Sequence, residues 1–544
     1  MDGLMMDYPL TLVHILERVR EFFGRVEVVS RLPDRSMHRY TYADFYRRAK
    51  QLAKALTHAG IHRGDRVATL MWNQYQHLEA YFGIPACGAV VHTLNVRLHP
   101  DELGYIASHA NDRFIIVDEG LLPLLEKFKV QASFGRVIVV RHRQGSMIGS
   151  YCDYEDFIAL GKGDFSYPQL GENEAAALCF TSGTTGKPKG VLYSHRAIVL
   201  HSFALALADS SGLAQRDVVV AVAPMFHANS HGLPYVAVML GAKLVLPGSH
   251  LDPDSLLELF ELEKATFLSA VPTVWLGILG ELDKNPTRWN LSGDLRGLGG
   301  GSAVSESLMF GLERHGIPVV QAWGMTELTP VGTVSSLKSY MEEWPEEQRR
   351  KVRCSQGRPI PFVEIRAIGA EGETAWDGHS LGELQVRGPW VARSYYNMPD
   401  ESQRWTVDGW FRTGDVCTID SEGFVTIVDR IKDMIKSGGE WISSVDLENA
   451  VMGYPNVQEA AVVAVPHPTW TERPLALIVC KDGEAVSTED LLRYLRGRFS
   501  KWQLPDAVVF VKELPKTSTG KLFKKKLREQ YRTWNWEKSG PDIN

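Results

Sequence analysis

Thr181-Ser182-Gly183-Thr184-Thr185-Gly186-Lys187-Pro188-Lys189-Gly190 directly follows a short apolar run, AAALCF at 175–180, and this junction decides how the chain is read. The run reads as a buried strand. The stretch after it concentrates glycines, hydroxyls and lysines. Glycines let backbone N–H groups turn toward an anion, hydroxyls donate hydrogen bonds and lysines bring charge, so the composition fits a phosphate cradle. It is not a Walker loop: Gly183 and Gly186 enclose two residues where four are required, and Pro188 stands where a Ser or Thr should follow the lysine. Proline also biases Lys187 away from helical angles, so no helix is expected to start there. The competing reading is a flexible polar surface loop.

Working outward, a chain of 544 residues exceeds one ordinary core and suggests three or four structural units. With 44% hydrophobic and 23% charged residues it has ordinary globular usage. A net charge of -6 argues against nucleic acid as the main partner, so any anion site must be local. The six cysteines lie far apart with no CxxC pair, which points to reduced thiols and a cytoplasmic protein. The acidic N-terminus does not fit a signal peptide, and the longest apolar runs are too short to span a bilayer. Peripheral membrane contact stays open.

Upstream of the cradle, Thr41 and Asp44 form a capping box, and apolar residues then recur at helical spacing until Gly60. Strand 67–71, a helix through Leu78 and Tyr81, strand 89–92, helix 102–110 and strand 114–117 follow. Downstream come helix 197–208, strand 218–223, helix 256–263, strand 267–271 and helix 305–315. Such alternation implies βαβ units, hence an α/β fold with largely parallel sheets flanked by helices. The charged run 341–351 reads as a solvated helix face. After Gly388 the texture changes to glycine-punctuated short strands. From about residue 431, helix 445–452, strands 460–465 and 475–479, helix 489–499 and strand 508–511 form a smaller α+β unit. The expected division is 1–430 and 431–544.

Four further clusters can carry chemistry, each with a plainer alternative. Gly297-Leu298-Gly299-Gly300-Gly301-Ser302-Ala303 exposes backbone but lacks dinucleotide-binding spacing, and can be a tight turn. Gln321-Ala322-Trp323-Gly324-Met325-Thr326-Glu327 offers a flat ring and a carboxylate suited to a hard cation, or only packing and solvation. Arg412-Thr413-Gly414-Asp415 places a carboxylate suited to a ribose diol, or makes an Asx-type turn. Pro515-Lys516-Thr517-Ser518-Thr519-Gly520-Lys521 is a second Thr/Ser/Gly/Lys cradle, or a solvated loop leading into Lys524-Lys525-Lys526.

In this order, TSGTTGKPKG, GGGSA, AWGMTE, FRTGD, DRIKD (429–433) and PKTSTGK resemble the adenylate-forming superfamily of acyl-CoA synthetases, firefly luciferases and peptide-synthetase adenylation domains. The resemblance runs from about residue 41 to about residue 528. The segments PMFHANSHGLPY (224–235) and IKSGGEWISSVDLENA (435–450) look most like medium- and long-chain fatty acyl-CoA ligases.

The resemblance implies that ATP and a carboxylic acid give an acyl-adenylate, which coenzyme A then converts to a thioester. By matching positions, Thr181, Ser182, Gly183, Thr184, Thr185 and Lys189 would hold the phosphates, with Thr184 and Glu327 near Mg²⁺. Trp323 would stack on adenine where the family more often has Tyr. Gly301, Ser302, Ala303, Gln321, Gly324, Met325, Thr326 and Lys436 would complete the nucleotide site, and Asp415 would take the ribose hydroxyls beside Arg430. Lys521 would contact the carboxylate and the α-phosphate. Lys432 would be the hinge, at 430–433, by which a mobile C-terminal domain withdraws Lys521 and presents Gly438, Gly439 and Trp441 to coenzyme A. Lys524 to Lys526 would help bind its phosphates.

The acyl pocket would involve His227, with a catalytic role, and His231, Gly299, Gly300 and Pro330. Some long-chain relatives carry Trp where this chain has His231. A polar His there suits shorter or functionalised acids, sulfur-bearing ones included, or is simply a satisfied buried histidine. The implied activity is an AMP-forming fatty acid–CoA ligase. Delivery of the acyl group to a carrier protein, a luciferase-like oxidation and a non-catalytic nucleotide-binding protein are the alternatives. A homodimer is the family-level expectation.

Overall fold

The structure is a computed structural model and describes residues 1, 3–142, 151–181, 187–438, 440–481, 483–517 and 520–536. Two large sheets dominate it. A seven-stranded sheet runs Cys152–Asp153, Arg136–Val140, Asp112–Asp118, Arg66–Leu70, Val90–Thr93, Ala175–Phe180, Gly190–Ser194. A nine-stranded sheet runs from Arg358–Pro359 through Val331–Val334, Val319–Gly324, Arg296–Gly299, Phe267–Ala270, Val218–Val220, Lys243–Leu246 and Glu27–Arg31 to Met37–Thr41. Their interior pairings are parallel and antiparallel pairs sit at their ends. The expected α/β class with parallel sheets and flanking helices is what the chain forms.

The helix Tyr42–His58 begins on the predicted box: the Thr41 hydroxyl accepts from Asp44 N, and the Asp44 carboxylate accepts from Thr41 N. Tyr75–Ala86 is apolar nearly all round, and Gln76 through Ala86 are all buried as it packs on strands of both large sheets. The charged run 341–351 divides into the 3₁₀ turn Ser339–Glu343, whose Met341 is buried, and the helix Glu346–Cys354, of which only Val352 is buried, so the solvated helix face is found in its second part.

A five-stranded antiparallel sheet ends in Phe411–Ile419 and Val425–Arg430. Just beyond, Ile435–Ser437 opens another sheet with Glu440–Ile442, Thr471–Cys480, Val457–His467 and Ala507–Phe510. The helices Ser444–Met452 and Thr488–Arg496 accompany it. Among the elements that the sequence reading does not name are the N-terminal helix Leu12–Phe23, the strand Gly190–Ser194 that follows the cradle, and the helices Leu233–Leu240 and Pro272–Lys284. No helix among the described residues is long and apolar enough to cross a membrane.

Candidate active site

The strand Ala175–Phe180 has the bounds the sequence predicts, and no helix follows Lys187. Instead the chain returns antiparallel, with Phe180 opposite Gly190. The neck of the loop is pinned by Thr181 N donating to Lys189 O (2.9 Å) and Lys189 N donating to Thr181 Oγ1 (3.1 Å). Ser182, Gly183, Thr184 and Thr185 lie outside the described residues, as does Gly439.

The neck opens onto a cavity of about 460 Å³. Thr181, Lys189, His227, His231, Gly300, Gly301, Trp323, Gly324, Met325, Thr326, Glu327, Pro330, Arg430, Lys432 and Lys521 line it. Residues 340 positions apart in sequence, Thr181 and Lys521, therefore share one wall space.

Lys521 is tied to Thr517: Thr517 N donates to Lys521 O (2.7 Å), and Lys521 N donates to Thr517 Oγ1 (3.2 Å). Its stem passes Gly301, where a Cβ would stand 3.1 Å from Lys521 Cε, and Gly301 adopts φ +86°. The left-handed φ calls for glycine there, and a Cβ would also crowd the lysine stem. Burial pushes the Lys521 ammonium down to about 8, aided by Arg430, while Asp415 and Glu327 hold it up. Burial also lowers Lys432 to about 8, with Arg430 and Arg528 as further cationic neighbours.

Asp415 is buried opposite Arg430 on the neighbouring strand. Its Oδ1 meets Arg430 Nε at 2.6 Å and its Oδ2 accepts from Trp323 Nε1 at 2.9 Å. Each carboxylate oxygen retains a second lone pair for a diol. The Trp323 ring lies over Gly332, where a Cβ would come within 3.0 Å of it. Glu327 sits in a 3₁₀ turn, Thr326–Leu328, between the antiparallel strands Val319–Gly324 and Val331–Val334, and its Oε1 accepts from Tyr395 Oη at 2.5 Å. One oxygen of Glu327 is thus committed, which leaves the other for a cation. Among the described residues no group of three or more His, Cys, Asp or Glu side chains can hold a metal by itself.

The histidine wall depends on backbone geometry that no local pattern announces. Ala228, Asn229, Ser230, His231 and Gly232 all have left-handed φ, from 37° to 80°. The four that are not glycine cost about 1–2 kcal/mol each unless their surroundings hold them. They are held: Asn229 Nδ2 donates to Tyr235 Oη (2.8 Å), the Cys179 thiol donates to Asn229 Oδ1, and Ser230 Oγ donates to Ala223 O (2.6 Å). The turn sets His227 and His231 on the same cavity, with His231 Nδ1 2.8 Å from Ser269 Oγ. Burial keeps both rings neutral, His231 at about 4 and His227 lower than usual, with nearby Lys521 acting in the same direction.

Several predicted residues sit elsewhere. Gly299 is buried inside its strand, where a Cβ would meet Val304 and Val319. The Gln321 side chain accepts from Val304 N and donates to Cys354 O and Ser355 O, so it braces the wall from behind. Ser302 and Ala303 follow Gly301 but are not among the described lining residues. Lys436, Gly438 and Trp441 lie on or beside the strands Ile435–Ser437 and Glu440–Ile442, off the cavity, with the Lys436 ammonium 5.5 Å from the Trp441 ring centre. Lys524 departs from expectation: its ammonium is 2.8 Å from Glu448 and 2.7 Å from Ser444 Oγ, both largely buried, so it is not available to an incoming phosphate. Conversely, Tyr395, Arg404 and Ser269 line the cavity without any signal in the sequence pattern.

The sequence profile described as AMP-binding enzyme matches residues 16–396, and that of the AMP-binding enzyme C-terminal domain matches 446–521. The chain is 48% identical over 533 residues to a long-chain-fatty-acid–CoA ligase of Thermus thermophilus, covering 97% of each. It is 42% identical over 538 residues to a 3-methylmercaptopropionyl-CoA ligase of Ruegeria lacuscaerulensis, covering 98% of this chain and 99% of that one. The crystal structure of an anthranilate CoA ligase in complex with anthranoyl-AMP superposes with a TM-score of 0.86 at 26% identity, covering 97% of this chain and 98% of that one. Profile, relatives and superposition agree over nearly the whole length, and the chain belongs to the AMP-binding enzyme family.

Proposed function

We propose that this protein is an AMP-forming acyl-CoA ligase for an aliphatic carboxylic acid. A carboxylate oxygen of the acid attacks the α-phosphorus of ATP and pyrophosphate leaves. The thiolate of coenzyme A then attacks the acyl carbonyl, AMP leaves, and the thiol proton goes to solvent. The observation that carries the reading is Lys521, delivered from the far end of the chain into the cavity that Thr181, Glu327 and His227 also line. A buried ammonium there meets negative charge on the attacking carboxylate and on the α-phosphate, and acts by position and charge without transferring a proton.

In this reading Trp323 stacks on adenine, Asp415 and Arg430 bind the ribose, and Thr181 to Thr185 with Lys189 bind the phosphates. Gly301, Gly324, Met325 and Thr326 complete the nucleotide wall. Glu327, with Thr184, would hold Mg²⁺, which when bound neutralises charge on the departing pyrophosphate. A single free carboxylate oxygen suits this ion, because Mg²⁺ keeps waters and substrate oxygens as its remaining ligands.

His227, His231, Gly300 and Pro330 would face the acyl group. Two neutral imidazoles and the Ser269 hydroxyl make this wall partly polar, which supports medium-chain or functionalised acids beside long-chain ones. The chain would move as two domains, 1–430 and 431–544, about Lys432, bringing Gly438, Gly439 and Trp441 to coenzyme A. The spaced cysteines, none disulfide-bonded, support a cytoplasmic setting, and a homodimer is the assembly we expect.

Incubation with Mg-ATP, coenzyme A and acids of graded length, followed by mass spectrometry, should show the thioester. No thioester with any acid would overturn the proposal. Pyrophosphate exchange without turnover of free coenzyme A would reassign the acceptor to a carrier protein.

A further inference from the structure

The short segment Pro399–Arg404 approaches the cavity from outside every motif that the sequence singles out. It carries Glu401, whose carboxylate lies 2.5 Å from the Lys189 ammonium, and three residues on it places Arg404 on the cavity wall. The Lys189–Glu401 pair is mostly shielded, with 16% and 25% of the side chains exposed. The Lys189 ammonium also stands 5.1 Å from the centre of the Tyr395 ring, and the hydroxyl of that ring is bonded to Glu327. Lys189 is therefore held by an anion and a π face at the mouth of the cavity, one side chain away from the carboxylate proposed to take the cation.

A shielded lysine can satisfy only so many anions at close range. An incoming polyphosphate competes with Glu401 for the same ammonium, and the exchange costs the ion pair that is given up. The backbone of Lys189 is pinned to Thr181, so the ammonium moves by side-chain rotation alone. We propose that Glu401 is a positioning residue that acts through Lys189 as an internal counter-anion. It yields Lys189 to the phosphates during adenylate formation and reclaims it as pyrophosphate departs. The inference rests on the adenylating function proposed above and deepens it. No bond is made or broken beyond those of the adenylation step; what changes hands is one ammonium's closest anion.

Glu401→Gln in the full-length protein tests it, because the amide keeps the shape and removes the charge. Binding of Mg-pyrophosphate would be measured as inhibition of ATP-dependent adenylation and by direct calorimetric titration. The expected result is a fall of about tenfold in the inhibition constant, with a lower KM for ATP, since Lys189 no longer has a competing anion. Glu401→Asp should return both values toward those of the unmodified protein. If Glu401 merely braces Lys189, the Gln variant would bind pyrophosphate and ATP more weakly, which is the opposite sign and overturns the proposal. Unchanged constants overturn it as well. If the unmodified protein shows no pyrophosphate exchange, the adenylating function itself fails, and that outcome is distinct from a wrong-signed shift in the variant.

Discussion

Replacing Lys521 with methionine removes the ammonium while keeping a stem of similar length in the groove beside Gly301. A unit charge about 4 Å from a developing anion, at an effective dielectric of about 20, is worth about 4 kcal/mol. Loss of a single oxyanion donor costs roughly 10²–10³ in rate, which agrees with that figure. Adenylation, read as ATP–pyrophosphate exchange, should therefore fall by roughly 10²–10³. Thioester formation from supplied acyl-adenylate and coenzyme A should change by less than about threefold, because the proposed hinge motion would have withdrawn the ammonium by then.

Stability should move the other way. Burial lowers Lys521 from its ordinary 10.5 to about 8, so the unfolded chain holds more protons on this group between those values. The penalty for burying the charge is full below about pH 8, shrinks as pH rises toward about 10.5 and is then gone. It corresponds to at most about 3 kcal/mol. The methionine variant should accordingly melt higher at pH 7, with the gain fading at high pH. Exchange reduced less than about tenfold, or both half-reactions reduced equally, would refute the assignment of Lys521 to the first step.

Trp323→Phe leaves Asp415 Oδ2 without its indole donor, at a cost of about 1–3 kcal/mol; a lower melting temperature and a KM for ATP raised about tenfold are expected, and unchanged values would count against the pairing. Gly332→Ala drives a Cβ to 2.6 Å from Leu328 Cδ2 and 3.0 Å from the Trp323 ring, so KM for ATP should rise while KM for the acid stays constant in steady-state assays. Because burial keeps His227 and His231 neutral, KM for the acid should show no histidine inflection between about pH 5.5 and 7.5; a break near 6.5 would show that one of them charges in the working range.

Much of this molecule was legible in its sequence. The apolar run 175–180 is a strand with those bounds, the Thr41–Asp44 box starts the helix that it announces, and the alternation of helices and strands predicts the parallel sheets. Such features are set by neighbours within a few residues, where side-chain type alone fixes burial, capping and period. The motifs likewise name most of the cavity wall, because backbone freedom, charge and hydroxyls must be supplied by particular residue types. What the sequence could not supply is which distant side chains meet. Tyr395 reaches Glu327 across 68 positions and Glu401 reaches Lys189 across 212. The left-handed turn at 228–232 carries one glycine in five residues, and it persists because Cys179, Tyr235 and Ala223 hold its polar groups from other elements. Asp415 finds Arg430 through strand register and Trp323 through the packing of one sheet on another. Register and packing are properties of the assembled sheets with no local period to betray them, so the chain's own pattern names the parts of the site and only the tertiary fold decides how they are charged and held.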